Sequence, residues 1–136
     1  MNILHILTDL TPFNAWVVVG ALGKAGEGQP VKIHVVYLSS REEPKFPLDH
    51  IQRSSVLTYD PHTDFDPNIH AGLKKYIADN HIGHIHVHDS MSMRYVSGWK
   101  YFTQKKYLHF YRNERVFKKV HAFLGFHKVI HLTESS

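Results

Sequence analysis

The sequence predicts a doubly wound α/β fold, in which a mostly parallel sheet carries helices on both faces within a single domain spanning residues 1–136. The chain has 136 residues, which is the size of one ordinary domain. Hydrophobic residues make up 43% and charged residues 21%, as is typical of globular proteins. Short runs rich in β-branched residues alternate with segments whose apolar residues recur at helical spacing, and this alternation is typical of strand–helix units.

The first half of the chain begins with an apolar run at residues 3–7, which predicts a strand. Thr11-Pro12 follows and is typical of an N-cap with proline at the first helical position. We expect the helix that begins there to turn four apolar residues inward: Trp16, Val17, Val19 and Leu22. Two further strands are predicted at residues 31–38 and 55–59, with loops at residues 39–54 and 60–68.

The second half of the chain predicts two more strand–helix units and a last strand. A helix starts near Asn68, ends near Asn80 and buries a stripe at helical spacing: Ile69, Leu73, Tyr76 and Ile77. The elements after it are predicted in this order: a strand at 82–88, a helix at 90–104, a strand at 107–111, a helix at 114–124 and a strand at 128–132. Neither an internal repeat nor a linker divides the chain.

Polar residues stand at every predicted strand end, and ligands of open α/β sheets bind beyond the carboxyl ends of the strands. These residues are Thr8, Asp9, Ser39, Ser40, Tyr59, Asp60, His88, Asp89, Arg112, Asn113, Glu114, Thr133, Glu134 and Ser135. Because loops are polar in general, the pattern predicts where a cleft lies without naming a reaction. His109, Arg112 and Glu114 cluster at one strand end and suit acid–base or anion-binding chemistry. The alternative is that Arg112 and Glu114 pair with each other.

Histidine is unusually frequent, with thirteen in the chain. His84, His86 and His88 alternate along one predicted strand, so their imidazoles share a face. Imidazoles in this pattern can ligate a divalent metal, but a metal site needs a further ligand, and Asp89 points to the other face. We therefore expect hydrogen-bonded histidines and predict neither a metal nor a cofactor.

Several classes of protein are excluded or disfavoured. The chain has no cysteine, which rules out disulfides, thiolate zinc sites and a cysteine nucleophile. Neither G-x-G-x-x-G nor G-x-x-x-x-G-K-[ST] occurs, which disfavours a dinucleotide fold of the usual dehydrogenase kind. The longest apolar run, residues 15–22, is too short to span a bilayer, and residues 1–5 lack the basic start of a signal peptide. We expect a cytoplasmic protein.

Charge is divided unevenly between the two halves of the chain. Residues 1–68 hold five Lys/Arg against eight Asp/Glu, whereas residues 69–136 hold eleven against four. Residues 94–119 combine basic and aromatic side chains, a pattern that suits an anionic membrane, a phosphorylated ligand or single-stranded nucleic acid. Nucleic acid is the least favoured of these partners, since no recognised motif accompanies the pattern. The candidate surface residues are Lys100, Lys105, Lys106, Arg115, Lys118 and Lys119. The alternative is that the aromatic residues pack in the core beneath solvated lysines.

The order of these segments resembles the N-terminal half of GT-B glycosyltransferases of family 4. The family's strand "D-I-I-H-V-H" is similar to residues 83–88, its strand "vvyTyH-D" to residues 107–113, and its strand "D-rvIavSe-S" to residues 127–135. An opening strand like residues 2–6 and a later strand like residues 31–36 complete the similarity. Two features depart from the family: residues 8–14 replace its glycine-rich loop, and Arg112 stands where it has a histidine.

The resemblance implies the acceptor-side, Rossmann-like domain of an enzyme that moves a sugar from a nucleotide-sugar donor to a hydroxyl acceptor. Enzymes of this family usually need no metal. Some of them bind anionic membranes through a basic surface, and for this chain the resemblance implies contact with the inner face of the membrane. The implied catalytic residues are His88, Asp89, Arg112 and Glu114, and the implied substrate-binding residues are Asp9, Asn14, His109 and Glu134. The donor-binding half and its E-x7-E motif have no counterpart in these residues. We therefore expect little or no transferase activity from this chain alone.

A second hypothesis is a non-catalytic Rossmann-like module. It would bind an anionic ligand, a partner protein or a membrane surface. A downstream segment with a second Rossmann pattern and an E-x7-E motif would favour the transferase over this module.

Overall fold

A computed structural model describes residues 1–25, 28, 30–40, 48, 51–97, 102, 104–110 and 128–131 of the chain. Six strands form one sheet in the order β3-β2-β1-β4-β5-β6, and each neighbouring pair is parallel. The strands are β1 (Asn2–Thr8), β2 (Lys32–Ser39), β3 (Ser54–Thr58), β4 (His84–Val87), β5 (Lys105–Phe110) and β6 (Lys128–His131). The helices are α1 (Phe13–Ala25), α2 (Pro67–Asp79) and α3 (Ser90–Val96).

The strand order confirms the predicted doubly wound α/β fold. The chain runs outward from β1 through β2 to β3, then crosses back to β4 and runs outward in the other direction. A crevice for ligands is expected where the direction reverses, which is beside the carboxyl ends of β1 and β4.

Helices cover both faces of the sheet because the side chains of each strand alternate between the faces. On one face Leu4 and Ile6 belong to a core cluster that includes Ile69, Leu73 and Ile77 of α2. On the other face Leu7 belongs to a cluster with Val19 of α1. The buried sheet therefore carries apolar residues at consecutive positions, as parallel strands between helices do.

The predicted inner face of α1 is partly wrong. Val19 is buried and Trp16 is half-buried, as expected, but Val17 is 45% and Leu22 is 44% exposed. The buried stripe runs instead through Ala15 and Val19, which are four residues apart. Because α1 is apolar on nearly every side, hydrophobic periodicity could not indicate which side faces the sheet.

Helix α2 matches its prediction closely. Asp66 is its N-cap, and its side chain accepts a hydrogen bond of 2.9 Å from the backbone N–H of Asn68. Pro67 is the first helical residue, where its fixed φ suits the helix and its missing N–H leaves no donor unsatisfied. The predicted stripe of Ile69, Leu73 and Ile77 is buried, and Tyr76 is half-buried.

The end of α2 is a Schellman motif with a histidine in the position that glycine usually takes. The N–H of His81 donates to the carbonyl of Ala78 (3.3 Å), and the N–H of Ile82 donates to the carbonyl of Ile77 (3.0 Å). His81 has a φ of 52°, in the left-handed region that costs an ordinary residue about 1–2 kcal/mol. Ile77 and Ile82 are both buried in the core cluster, as this motif requires.

Helix α3 is shorter than predicted. It ends at Val96, and Ser97 is extended with φ −69° and ψ 154°. Strand β5 begins at Lys105, so a helix continued to Gln104 would leave no residues for the turn between the helix and the strand. The remaining predicted helix, at 114–124, lies outside the described residues.

No helix in the described part of the chain combines the length and the apolar character that crossing a membrane requires.

Candidate functional site

Asp89 joins two elements at the carboxyl edge of the sheet. It follows β4 and is the N-cap of α3, where its Oδ1 accepts a hydrogen bond of 2.8 Å from the N–H of Ser92. Its Oδ2 accepts hydrogen bonds from the hydroxyls of Thr8 (2.9 Å) and Thr11 (2.6 Å). Asp89 therefore ties the start of α3 to the loop that follows β1.

The loop after β1 is held by its own hydroxyl groups. The N–H of Thr8 donates to Oγ1 of Thr11 (2.8 Å), and the N–H of Leu10 donates to Oγ1 of Thr8 (3.0 Å). The N–H of Thr11 also donates to the carbonyl of Thr8 (3.1 Å). These bonds and the contacts to Asp89 stabilise the conformation of residues 8–11.

Asp9 lies in this loop and faces the carboxyl end of β2. Its Oδ1 accepts a hydrogen bond of 2.8 Å from the hydroxyl of Tyr37, and its Oδ2 accepts one of 3.2 Å from the hydroxyl of Ser39. Asp9 is half-buried and its carboxylate retains acceptor capacity beyond these two bonds. Tyr37 was not among the predicted site residues. The sequence did contain a signal for it, because a tyrosine near the end of a strand rich in β-branched residues is expected to be buried and to need a hydrogen-bond partner for its hydroxyl.

Four imidazoles from three strands form a cluster beneath this edge, which we call the histidine cluster: His5, His86, His88 and His109. His5 of β1 lies opposite His86 of β4 in the strand register. Nδ1 of His5 lies 2.9 Å from Nε2 of His88, and Nδ1 of His86 lies 2.6 Å from Nε2 of His109. The rings also stack, with centroids 4.6 Å apart for His5 and His86 and 4.3 Å apart for His88 and His109.

All four members of the histidine cluster are held neutral at pH 7. Burial, together with repulsion from a neighbouring histidine, lowers the pKa of His86 to about 4 and that of His109 to about 3. Burial also lowers the pKa of His5 and that of His88 well below the usual value, with added repulsion from the other members. In each hydrogen-bonded pair, one ring nitrogen donates and the other accepts, which neutral tautomers allow.

The prediction that His84, His86 and His88 share a face and form hydrogen bonds is confirmed. Nδ1 of His84 lies 3.0 Å from the hydroxyl of Tyr107, which also stacks on His86. Among the described residues, no group of three or more His, Cys, Asp or Glu side chains is arranged to hold a metal ion.

The predicted site residues fall into three groups. Asp9 and Asp89 lie at the carboxyl edge, with Thr8 and Thr11 between them. His88 and His109 are buried in the histidine cluster, below the edge. Asn14 lies in α1, and its side chain is outside the part of the chain that the structure describes. The remaining predicted residues lie outside the described part of the chain: Arg112, Glu114 and Glu134.

The predicted basic surface needs one correction. Lys106 is fully buried, and its Nζ donates to the carbonyl of Val96, the last residue of α3 (3.1 Å). Burial lowers the pKa of this amine. Side chains alternate along β5, so Lys106 lies on the face of the sheet that contacts α3, whereas Lys105 is exposed. The other predicted surface residues lie outside the described ranges: Lys100, Arg115, Lys118 and Lys119.

No protein-family model matches the chain, and no curated protein sequence matches it significantly.

Proposed function

We propose that the chain is the acceptor-side Rossmann-like domain of a GT-B glycosyltransferase similar to family 4, which acts in the cytoplasm. The observation that carries this proposal is the pair of carboxylates, Asp9 and Asp89, at the point where the strand order reverses between β1 and β4. Ligands of doubly wound sheets bind at this point. Carboxylates and hydroxyls are the groups that hydrogen-bond a hydroxylated acceptor.

The two carboxylates have different roles in this proposal. Asp89 already accepts three hydrogen bonds, so we assign it as a positioning residue that holds the loop after β1. Asp9 is oriented by Tyr37 and Ser39 and its carboxylate can accept further hydrogen bonds, so we assign it to the acceptor hydroxyl. His88 is buried against His5 and supports the end of β4 rather than contacting the acceptor.

A second domain completes the proposed enzyme. The carboxyl edge forms one wall of a crevice, and a nucleotide-sugar must be held by another wall facing it. We therefore propose that the donor binds to a C-terminal Rossmann-like domain that has no counterpart in these residues. The chain contributes the acceptor site and no metal.

Acceptor binding tests this proposal by NMR. Mono- and disaccharides added to the whole chain should shift the backbone amides of residues 8–11 and 90–92. Asp9→Asn should weaken the binding about tenfold, because it removes a charge-assisted hydrogen bond. Asp64→Asn is the matched control, since Asp64 is exposed and Arg94 contacts its backbone carbonyl.

The transferase activity of the chain alone is the second test of this proposal. With nucleotide-sugars, the chain alone should show only background transfer and hydrolysis. Robust turnover by the 136-residue chain, or saccharide binding that Asp9→Asn leaves unchanged, would contradict the proposal.

A second candidate function is reversible contact with an anionic membrane surface, and the outer face of α1 favours it. Phe13 is 63% exposed, and three further apolar residues of α1 are also exposed: Val17, Val18 and Leu22. An exposed apolar helix face on a chain of net charge +4 suits the interface of an anionic bilayer.

Vesicle sedimentation tests the membrane contact. The chain should bind vesicles that contain anionic lipid and bind neutral vesicles much less. Phe13→Ser combined with Val17→Ser should lower the bound fraction several-fold, because about 0.8 kcal/mol is lost for each buried methylene group. Val31→Ser, at an exposed loop residue, is the control. Binding that does not depend on the anionic lipid content would count against this function.

A further inference from the structure

A polar pocket of about 410 Å³ lies at the amino-terminal edge of the sheet, opposite the edge that carries Asp9 and Asp89. The start of β1, the start of β2, the segment that enters β3 and the end of α2 all contribute to it. Its volume is in the range of small-molecule sites. The residues that line it include Asn2, Lys32, His34, Arg53, Tyr76 and His81.

Two cations line this pocket. Lys32 is the first residue of β2 and is exposed, and Arg53 directly precedes β3 and is half-buried. Among the residues that the structure describes, neither forms an ion pair, and the one guanidinium contact of Arg53 is a 3.5 Å bond to Gln52. The acidic residue of the rim, Asp79, is already paired with Lys75 at 2.8 Å.

The positive charges of Lys32 and Arg53 both act on His34, on the floor of the pocket. His34 is buried there, and after burial itself the charges of Arg53 and Lys32 are the causes that lower its pKa. Burial raises the pKa of Tyr76, and the positive charge of Arg53 lowers it in part. The two cations therefore act on the same point, and a bound anion would be stabilised there.

The floor itself is a neutral hydrogen-bonded chain. Nε2 of His34 lies 3.0 Å from Oδ1 of Asn2, and Nδ1 lies 2.8 Å from the hydroxyl of Tyr76. Because Oδ1 of Asn2 accepts, Nε2 carries the proton and Nδ1 accepts from Tyr76. The imidazole is thus held rigidly between two partners, without a charge of its own to repel the cations.

The rim includes the one described non-glycine residue with a positive φ. His81 lines the pocket in the Schellman position where glycine would carry no backbone strain. Backbone strain of this kind concentrates at binding sites, where the side chain supplies a contact that glycine cannot.

We propose that this pocket binds a small phosphorylated ligand, with its phosphoryl group between Lys32 and Arg53. Guanidinium and ammonium groups are the usual partners of phosphate. The volume exceeds that of one phosphate, and the remaining lining groups are amides, hydroxyls and imidazoles, so the ligand carries a hydroxylated, sugar-like body. The pocket lies at the other edge of the sheet, so this inference does not depend on the proposed function.

An NMR titration of the whole chain tests the site with three probes: glucose 6-phosphate, inorganic phosphate and glucose. Glucose 6-phosphate should shift the amides of Lys32, Arg53 and Ser54. Inorganic phosphate should shift the same amides with weaker affinity, and glucose should leave them in place. Inorganic phosphate binding as tightly as glucose 6-phosphate would overturn the assignment of a sugar-like body.

Matched variants separate the site from general charge attraction. Arg53→Gln and Lys32→Gln should each weaken the binding of glucose 6-phosphate about tenfold or more, because each removes a charge-assisted contact. Arg94→Gln and Lys74→Gln remove the same charge from exposed residues outside the pocket and should leave the affinity nearly unchanged. Equal losses in all four variants would overturn the site.

Two further readouts keep the test independent of folding defects. A bound phosphate offsets the charges of Lys32 and Arg53, so it should raise the pKa of His34 in the unmodified chain. His81→Gly places the preferred residue in the Schellman position, so the fold should persist while the affinity falls. Unchanged titration of His34 together with full affinity of His81→Gly would contradict the proposal.

Discussion

The free energy of unfolding is expected to fall steeply as the pH drops from about 6.5 to 5, because unfolding releases the histidine cluster into water. An unfolded histidine has a pKa of about 6.5 and takes up a proton in this range. In the folded protein the pKa of His86 is lowered to about 4 and that of His109 to about 3, and that of His5 and of His88 is also well below its usual value.

The sign follows from counting protons. Below pH 6.5 the unfolded chain binds protons that the folded chain does not, so acid favours unfolding. Each fully buried neutral histidine contributes a slope of up to about 1.4 kcal/mol per pH unit. His5 and His88 alone therefore give up to about 2.7 kcal/mol per pH unit, which is a large part of the stability of a small domain.

Urea unfolding at a series of pH values measures this slope. The double variant His5→Asn and His88→Gln should take up about two fewer protons on unfolding, and the slope should fall by the corresponding amount. His62→Gln, at an exposed histidine, should leave it unchanged. Carboxylates titrate mostly below pH 5, so the chosen range isolates the imidazoles. A stability that stays flat between pH 6.5 and 5 would show that the cluster is not buried in its neutral form.

Replacing Asp89 is expected to have the second large effect. Asp89→Ala should destabilise the protein by about 3 kcal/mol, from about 1 for the lost N-cap and the rest from the two hydroxyl partners of Oδ2. Asp89 is half-buried, so water can hydrogen-bond some of the groups that lose their partner in Asp89→Ala. The destabilisation is therefore smaller than the sum expected for fully buried hydrogen bonds.

Two comparison variants separate the contributions of Asp89. Asp89→Asn keeps a good N-cap and should lose less than Asp89→Ala. Asp66→Ala removes a capping carboxylate that accepts hydrogen bonds from the backbone N–H groups of Asp60 and Asn68, so it should not loosen the loop after β1. Chemical unfolding gives the stabilities, and faster amide exchange at Leu10 and Thr11 should be specific to the Asp89 variants. A loss below 1 kcal/mol in Asp89→Ala would contradict the tie between α3 and this loop.

Local signals were sufficient where a segment's own residues decide its conformation. Ile69, Leu73 and Ile77 form the buried stripe of α2, as the sequence predicted, and the helix begins at Pro67, one residue before the predicted start. Caps and hydrophobic periodicity act over a few residues and therefore can be recognised without knowing the rest of the fold. The same applies to the strands, whose predicted positions lie within two residues of the observed ones.

Long-range packing decided the rest of the fold. The exposed side of α1 and the burial of Lys106 depend on which neighbours the sheet and α3 present. The end of α3 depends on where β5 must begin. None of these is a property of the segment alone, and each overrides local preference.

The candidate site divides in the same way. The sequence by itself determined the alternating strand–helix order, the shared face of His84, His86 and His88, and the polar strand ends that include Asp9 and Asp89. Only the tertiary structure decided that Tyr37 orients Asp9, that His5 and His88 hydrogen-bond across neighbouring strands, and that Lys32 and Arg53 line one pocket. Strand order and register bring these residues together from distant parts of the chain, and periodicity along one strand contains no information about which strand lies beside it.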